Sequence, residues 1–388
     1  MYKHKPIPMV AQHESWISLD LIQGCPANCV YCYLGPAGLT KQVPGPPITA
    51  PEPAYQTLST YQYVEKSRFS DVPGGRNFPV AIGNYTDMCL TQKNREILLE
   101  LLIRHKQSMP ETPVCIVTKA LLDQAFLATI QHIGITVIFF ISLSFLPTTL
   151  EKGAPPPTTR LANFKRIAQF PNLHAIHFWR PATSKSVPDR ATALHQIEQL
   201  QQSGARVSVV TGLKFGKNLA NAFRINEQHA LHEYFTTRQA DEHAENEIFE
   251  QDVQEAILSA AHELAYPVYL HTSCAVSYVL EQPEYNATFR KPHLEAKCQV
   301  STCPPAQRER CFYFQARFPH PSQLLLEQVA RYLNLPLSSV IYSERKDSIF
   351  VDCSLTQEEQ TFLTQATSFP VRGKGLTPTL EWIGSINR

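Results

Sequence analysis

Trp16-Ile-Ser-Leu-Asp-Leu-Ile-Gln-Gly-Cys25-Pro-Ala-Asn-Cys29-Val-Tyr31-Cys32-Tyr33 is an apolar, alternating run that breaks at a glycine into cysteines spaced C-x3-C-x2-C. The alternation predicts a strand over residues 16–22, and Gly24 marks its end. Three thiols on one short loop suit a metal better than core packing, because free cysteines seldom crowd together in this way. Soft thiolates suit iron–sulfur clusters. Such a loop can hold three corners of a cubane [4Fe-4S] cluster through Cys25, Cys29 and Cys32, leaving the fourth iron open to chemistry. A zinc knuckle or plain core cysteines are the competing readings.

Outward from this loop, apolar runs alternate with amphipathic ones as far as about residue 272. Strands are predicted at 78–83, 113–118, 135–142, 174–178 and 206–210, and the chain extends again at 267–271. Helices are predicted at about 92–107, 121–132, 161–170, 190–203 and 240–265, and the Pro-rich insertion at 40–78 carries one more. The run at 135–142 is continuous and β-branched, as buried parallel strands are. Strand–helix repetition implies an α/β sheet with parallel connections. No G-x-G-x-x-G follows any strand, which removes the dinucleotide-binding fold. A cysteine loop at the end of the first strand puts chemistry where barrel enzymes carry it. The predicted fold is therefore a partial (β/α)6 TIM-type barrel over residues 1–272. A cysteine-rich extension at 273–313 follows, then a small α+β unit at 314–388. That unit has helices near 321–333 and 356–367 and a hairpin-like pair at 340–342 and 348–352.

The chain has 388 residues, 43% hydrophobic and 18% charged, with a net charge of +1. The hydrophobic share supports a sizeable core. The near-zero net charge does not favour nucleic acid as a partner, although a local groove stays open. No run of 18 apolar residues is present, so no membrane partner is expected. Met1-Tyr-Lys-His-Lys-Pro6 has no apolar signal core, which predicts a cytoplasmic location. Ten cysteines in a reducing compartment argue for metal ligation over disulfides.

The cysteine loop and its aromatic flanks resemble those of the radical SAM proteins. Over about residues 15–272 the chain looks like their spore photoproduct lyase branch. The matching stretches are Gly24 to Leu34, Thr86-Asp87, Ile116-Val-Thr-Lys119, Ser142-Leu-Ser144 and Leu150-Glu-Lys-Gly-Ala154 through Arg160-Leu161. The resemblance implies a [4Fe-4S] cluster whose open iron binds S-adenosylmethionine, and a flavodoxin- or ferredoxin-type reductant as partner. It implies reductive cleavage to a 5′-deoxyadenosyl radical that abstracts hydrogen from a substrate, the cofactor supplying the chemistry. Asn84, Thr86 and Asp87 fall where the cofactor's amine is held, and Lys119 where its carboxylate is held. Ser142 or Ser144 would meet its ribose or methionine end. Tyr31 and Tyr33 match catalytic tyrosines of the lyase. Asn84 stands where the lyase has its hydrogen-donating cysteine, so spore photoproduct repair is not expected. Cys89, five residues on, is the nearest candidate thiol.

Cys274, Cys298, Cys303 and Cys311 form a second set, the last three spaced C-x4-C-x7-C. Four thiolates in a loop-rich region suggest an auxiliary [4Fe-4S] cluster acting as electron relay or acceptor. Tetrahedral zinc is the alternative, although the short C-x2-C knuckles of many zinc sites are missing. Arg290, Lys291, Lys297, Arg308 and Arg310 make a basic stretch beside it, read either as an anion contact or as a solvated surface. Arg180, at a strand end, is a candidate for a cofactor or substrate carboxylate. His174 and His177 fall on opposite faces of one strand, one of them a candidate for the barrel interior. Cys115 and Cys353 are read as core.

The leading expectation is a radical SAM enzyme acting on a peptide, small molecule or nucleotide, with a second cluster. A nucleic-acid base-modifying or repair enzyme related to the lyase is one alternative, and a non-catalytic iron–sulfur redox protein the other.

Overall fold

A computed structural model describes residues 9–32, 34, 43–44, 50–61, 79–214, 247–286, 302–317, 320–367 and 369–377. Tyr33, Cys298, Arg290, Lys291, Lys297, residues 240–246 and most of the 40–78 insertion lie outside the described residues.

One eight-stranded sheet organises the chain. Its strands are β1 (Val10–Gln12), β2 (Ile17–Leu19), β3 (Val80–Ile82), β4 (Val114–Thr118), β5 (Val137–Ser142), β6 (Leu173–Trp179), β7 (Ser208–Val210) and β8 (Val268–Tyr269). They lie side by side in chain order. The edge strand β1 runs antiparallel to β2, with Val10 opposite Leu19. Every other neighbouring pair is parallel. Parallel neighbours need a crossover, and the helices supply most of them: α1 (Pro51–Ser59), α2 (Gln92–Ser108), α3 (Gln124–Ile133), α4 (Pro157–Ile167), α5 (Arg190–Gln202) and α6 (Gln251–Glu263). Several start at side-chain caps. Thr91 accepts from Asn94 N, Asp123 from Phe126 N and Asp189 from Thr192 N, each cap worth about 1 kcal/mol.

Successive strand residues face opposite sides of the sheet, and the two sides build separate cores. Val137, Phe139 and Ile141 pack outward with Leu98, Leu127, Phe164 and Ile197 of the helices. Ile138, Phe140, Ile176, Phe178, Val207 and Val209 face inward with Cys115 and Tyr269. A short helix, α7 (Thr272–Val279), puts Ala275 and Val276 into this inner core and packs on β6, β7 and β8. Helices on the outside of a sheet that is not closed on itself make a partial barrel.

The expectation of six strands is corrected here. β8 pairs in parallel with β7 as a further strand, and β1 adds an antiparallel edge. The predicted helix at 240–265 is seen as Gln251–Glu263. His177 is not an interior histidine: it faces the helices, fully buried, between Ser208 Oγ at 2.8 Å and the Leu143 carbonyl at 3.0 Å. Burial pushes its imidazole down to about 3, so it stays neutral. His174 has the interior parity and is half-buried.

In the small C-terminal unit, α9 (Gln323–Tyr332) and α10 (Gln357–Thr367) accompany a sheet of β9 (Val340–Ser343), β10 (Ser348–Val351) and β11 (Val371–Gly373). The preceding helix α8 (Pro305–Arg317) carries Cys311. The unit is tied to the barrel by Gln365, whose amide donates to Asn286 Oδ1 at 2.9 Å, and by Tyr61, whose hydroxyl donates to Glu358 at 3.0 Å. Among the described residues no helix is long and apolar enough to cross a membrane.

Candidate functional site

At the C-terminal ends of the parallel strands the chain encloses a cavity of about 430 Å³. Gly24, directly after the two-residue strand Ile22–Gln23, turns the chain into the cysteine loop with φ 89°, a conformation that glycine adopts without strain. Two turns follow: Asn28 N donates to Cys25 O, and Cys32 N to Cys29 O at 3.0 Å. The loop is stitched to the segment after β5. Val30 N donates to Leu150 O at 2.9 Å and Gly153 N to Ala27 O at 3.0 Å. A Cβ on Gly153 would stand 2.4 Å from the Pro26 carbonyl oxygen, so only glycine lets the two segments close.

Cys25, Cys29 and Cys32 are half-buried, free of disulfides and line the cavity together. Burial, reinforced by the Asp87 carboxylate, pushes the Cys25 thiol up to about 12. Burial pushes Cys29 to about 11 against the pull of Lys119. Thiols of this kind become ligands when a cation replaces their protons. Among the described residues no three His, Cys, Asp or Glu side chains converge on a single metal ion. Three soft donors around one cavity fit a [4Fe-4S] cluster.

Asp87 lines the same cavity but is saturated. Its carboxylate accepts from Thr118 Oγ1 at 2.8 Å, Cys89 N at 2.9 Å and Lys119 N at 2.7 Å. Burial raises its carboxyl, and these donors oppose the shift. It therefore pins the Asn84–Asp87 turn to the end of β4. Asn84 and Thr86 line the cavity with it.

Lys119 and Ser142 also face the cavity. The Lys119 ammonium donates to Ser142 Oγ at 3.0 Å and to Glu151 Oε1 at 2.8 Å. Glu151 is the hub. Its Oε1 also accepts from the Tyr31 and Ser144 hydroxyls, the latter at 2.9 Å, and its Oε2 from Arg160 at 2.5 Å. Burial would raise the Glu151 carboxyl, but Lys119 and then Arg160 outweigh it and hold it down at about 2. In the sequence Glu151 and Arg160 fall within one of the stretches that carry the resemblance, with no individual role assigned to either. Their signal is two charged residues bracketing a Gly-Pro-rich stretch, and their partners stand as far off as Tyr31.

Tyr31 and Arg180 complete the predicted residues at the cavity. Ser144 sits behind it on Glu151. Cys89 is fully buried and does not line the cavity; burial, then Asp87, pushes its thiol well above the usual range. Asp20, at the end of β2, accepts from Tyr85 N at 3.3 Å, while its Oδ2 has no hydrogen-bond partner among the described residues. Burial pushes its carboxyl up to about 7.

The second cysteine set is only partly in view. The Tyr269 hydroxyl donates to Cys303 Sγ at 3.6 Å, and Cys274 also acts on that phenol. Cys311 is buried and accepts from Glu284 N at 3.5 Å and Gln307 Nε2 at 3.7 Å. Cys274, Cys303 and Cys311 do not converge on one metal ion.

The fold, a partial (β/α) barrel with a cysteine loop at its mouth, is shared with solved structures. The particular likeness is to spore photoproduct lyase. A mutant of that lyase with dinucleoside spore photoproduct matches with a TM-score of 0.51 at 10% identity, over 69% of this chain and 79% of that one. A second mutant of it matches with a TM-score of 0.51 at 11% identity, over 70% and 80%. Streptococcus suis SuiB bound to S-adenosylmethionine matches with a TM-score of 0.33 at 14% identity, over 59% of this chain and 50% of that one, a likeness too slight to bear on the fold. No family model and no curated protein matches the chain.

Proposed function

We propose that the protein is a radical SAM enzyme. With a [4Fe-4S] cluster and S-adenosylmethionine bound, the cofactors supply reductive cleavage to a 5′-deoxyadenosyl radical, which takes hydrogen from a substrate. The observation that carries this reading is the meeting of Cys25, Cys29 and Cys32 with Lys119 and Ser142 at one cavity.

In this reading the three cysteines hold the cluster. Lys119 has three N–H donors, of which Glu151 and Ser142 take two, and the third serves the methionine carboxylate. Glu151 lies between two cations, so a net positive charge remains at that corner. Asn84 and Thr86 form the wall for the amine, and Asp87 fixes that wall from behind. Tyr31, with its proton directed at Glu151, stays beside the cluster. Phe178 and Trp16 keep the inner side of the cavity apolar. The reductant is a flavodoxin- or ferredoxin-type protein, and the location is cytoplasmic.

Cys274, Cys298, Cys303 and Cys311 remain candidates for a second cluster that relays or accepts electrons. The support is the thiol-rich composition and the closeness of Cys274 and Cys303 to Tyr269. A nucleic-acid-directed version draws on the fold likeness to a lyase with a dinucleoside substrate, while Asn84 removes that lyase's hydrogen donor.

Anaerobic reconstitution followed by metal analysis and detection of 5′-deoxyadenosine tests the proposal. About eight irons per chain are expected for two clusters, and about four irons with one zinc reassigns the second site. Slow 5′-deoxyadenosine formation is expected without substrate, and Cys29→Ala abolishes it. Retained cleavage in that variant sinks the mechanism, and no cleavage in the wild type leaves a non-catalytic iron–sulfur protein.

A further inference from the structure

Among the described residues two Lys or Arg side chains reach the cavity, Lys119 and Arg180, whereas the cofactor proposed above brings one carboxylate. Lys119 is turned toward the cysteine loop. Its ammonium is held by Glu151 and Ser142 and lies 5.6 Å from the centre of the Tyr31 ring. Arg180 follows β6, two strands along the sheet from the β4 end that carries Lys119, or roughly 10 Å at the usual strand spacing. Its guanidinium lies 5.5 Å from the centre of the Phe178 ring.

Phe178 belongs to an aromatic wall. It meets Phe140 edge-on with centroids 5.6 Å apart, and Phe140 meets Trp16 at 5.5 Å. Among the described residues Arg180 makes no ion pair, although it is half-buried. Among the described residues two acids line the cavity. Asp87 is occupied by its three donors, and Glu14, on the β1–β2 turn, makes no ion pair with Arg180. A half-buried guanidinium without an acid gains little for the fold, yet its planar fork matches carboxylate and phosphate oxygens in pairs.

We infer that Arg180 is a second anion site, and that the substrate carries a carboxylate or phosphate beside an apolar or planar body that rests on Trp16 and Phe178. The inference rests on the radical SAM reading, because it gives the other cation to the cofactor.

The test uses the reconstituted full chain and equilibrium dialysis. S-adenosylmethionine is first compared with its decarboxylated analogue. Lys119→Met is expected to erase the preference for the carboxylated form, and Arg180→Ala to leave it intact. With S-adenosylmethionine saturating, benzoate and phenyl phosphate are then compared with neutral benzyl alcohol. The wild type is expected to hold the better anion about ten-fold or more above the alcohol, as a charge-assisted pair provides. Arg180→Ala should bring the probes level, and Arg180→Lys should keep part of the preference. The stronger of the two anions identifies the group. Loss of the S-adenosylmethionine preference in Arg180→Ala gives Arg180 to the cofactor and overturns the proposal. So does a wild type that does not separate anion from alcohol. A wild type that binds neither S-adenosylmethionine nor its analogue removes the radical SAM reading itself, and this inference with it.

Discussion

At Glu151 one carboxylate answers a phenol, a serine hydroxyl and two cations inside the protein. A carboxyl held near 2 instead of its ordinary 4.5 contributes about 3 kcal/mol of stability. Because the folded value is depressed, that contribution is complete above pH 4.5 and disappears as the pH falls toward 2. Glu151→Gln keeps the shape but leaves Lys119 and Arg160 around a neutral amide. Urea unfolding at pH 7 should show a loss of about 3 kcal/mol, shrinking toward zero near pH 2. Equal stability of the two proteins at pH 7 would contradict this account. The sequence makes Cys25, Cys29 and Cys32 legible because spacing within one loop is a local property. Glu151 is not legible in that way, since its meaning lies with Tyr31, 120 residues away.

Among the elements, the segment after β5 decides whether the cysteine loop has one shape. Its Gly153 passes between the Pro26 and Ala27 carbonyl oxygens, which a Cβ would meet at 2.4 and 2.7 Å. Backbone atoms cannot rotate aside as a side-chain end can, so Gly153→Ala must move the cysteines. A loss of about 1–3 kcal/mol is expected, typical of overpacking, with a lower iron content after reconstitution. Gly375→Ala, where nothing lies within 4 Å, is the control and should be neutral on both counts. Wild-type iron loading in Gly153→Ala would show that the clasp is dispensable. Strands such as β5 can be read from sequence because burial on both faces leaves a continuous apolar run. β1 escapes because three residues carry no period, and α7 because its place inside the barrel depends on which face of the sheet curves inward.

For the whole molecule, two buried carboxyls set opposite slopes of stability with pH. Glu151 gives stability as the pH rises through 2 to 4.5. Asp20, pushed up from 3.8 to about 7, takes it away across that interval, because the unfolded chain ionises first. His177, held down to about 3 from 6.5, pulls the other way over much of that range, because the unfolded chain takes up its proton first as the pH falls. The Asp20 contribution is therefore read as a difference between two proteins. In urea unfolding across a pH series, the stability of Asp20→Asn relative to the wild type should grow as the pH rises from 3.8 to about 7, reaching a gain of up to about 4 kcal/mol at pH 8. A difference that does not change with pH would contradict this account of Asp20.

The clasp on the cysteine loop also has a place in time. A ribosome adds about 5–20 residues per second, and roughly 120 residues separate Cys32 from Gly153. For about 6 to 24 seconds of synthesis the three thiols exist without the segment that shapes them. Under the proposed function, a cluster that requires the finished geometry can therefore be loaded only after β5 and the turn beyond it have been made.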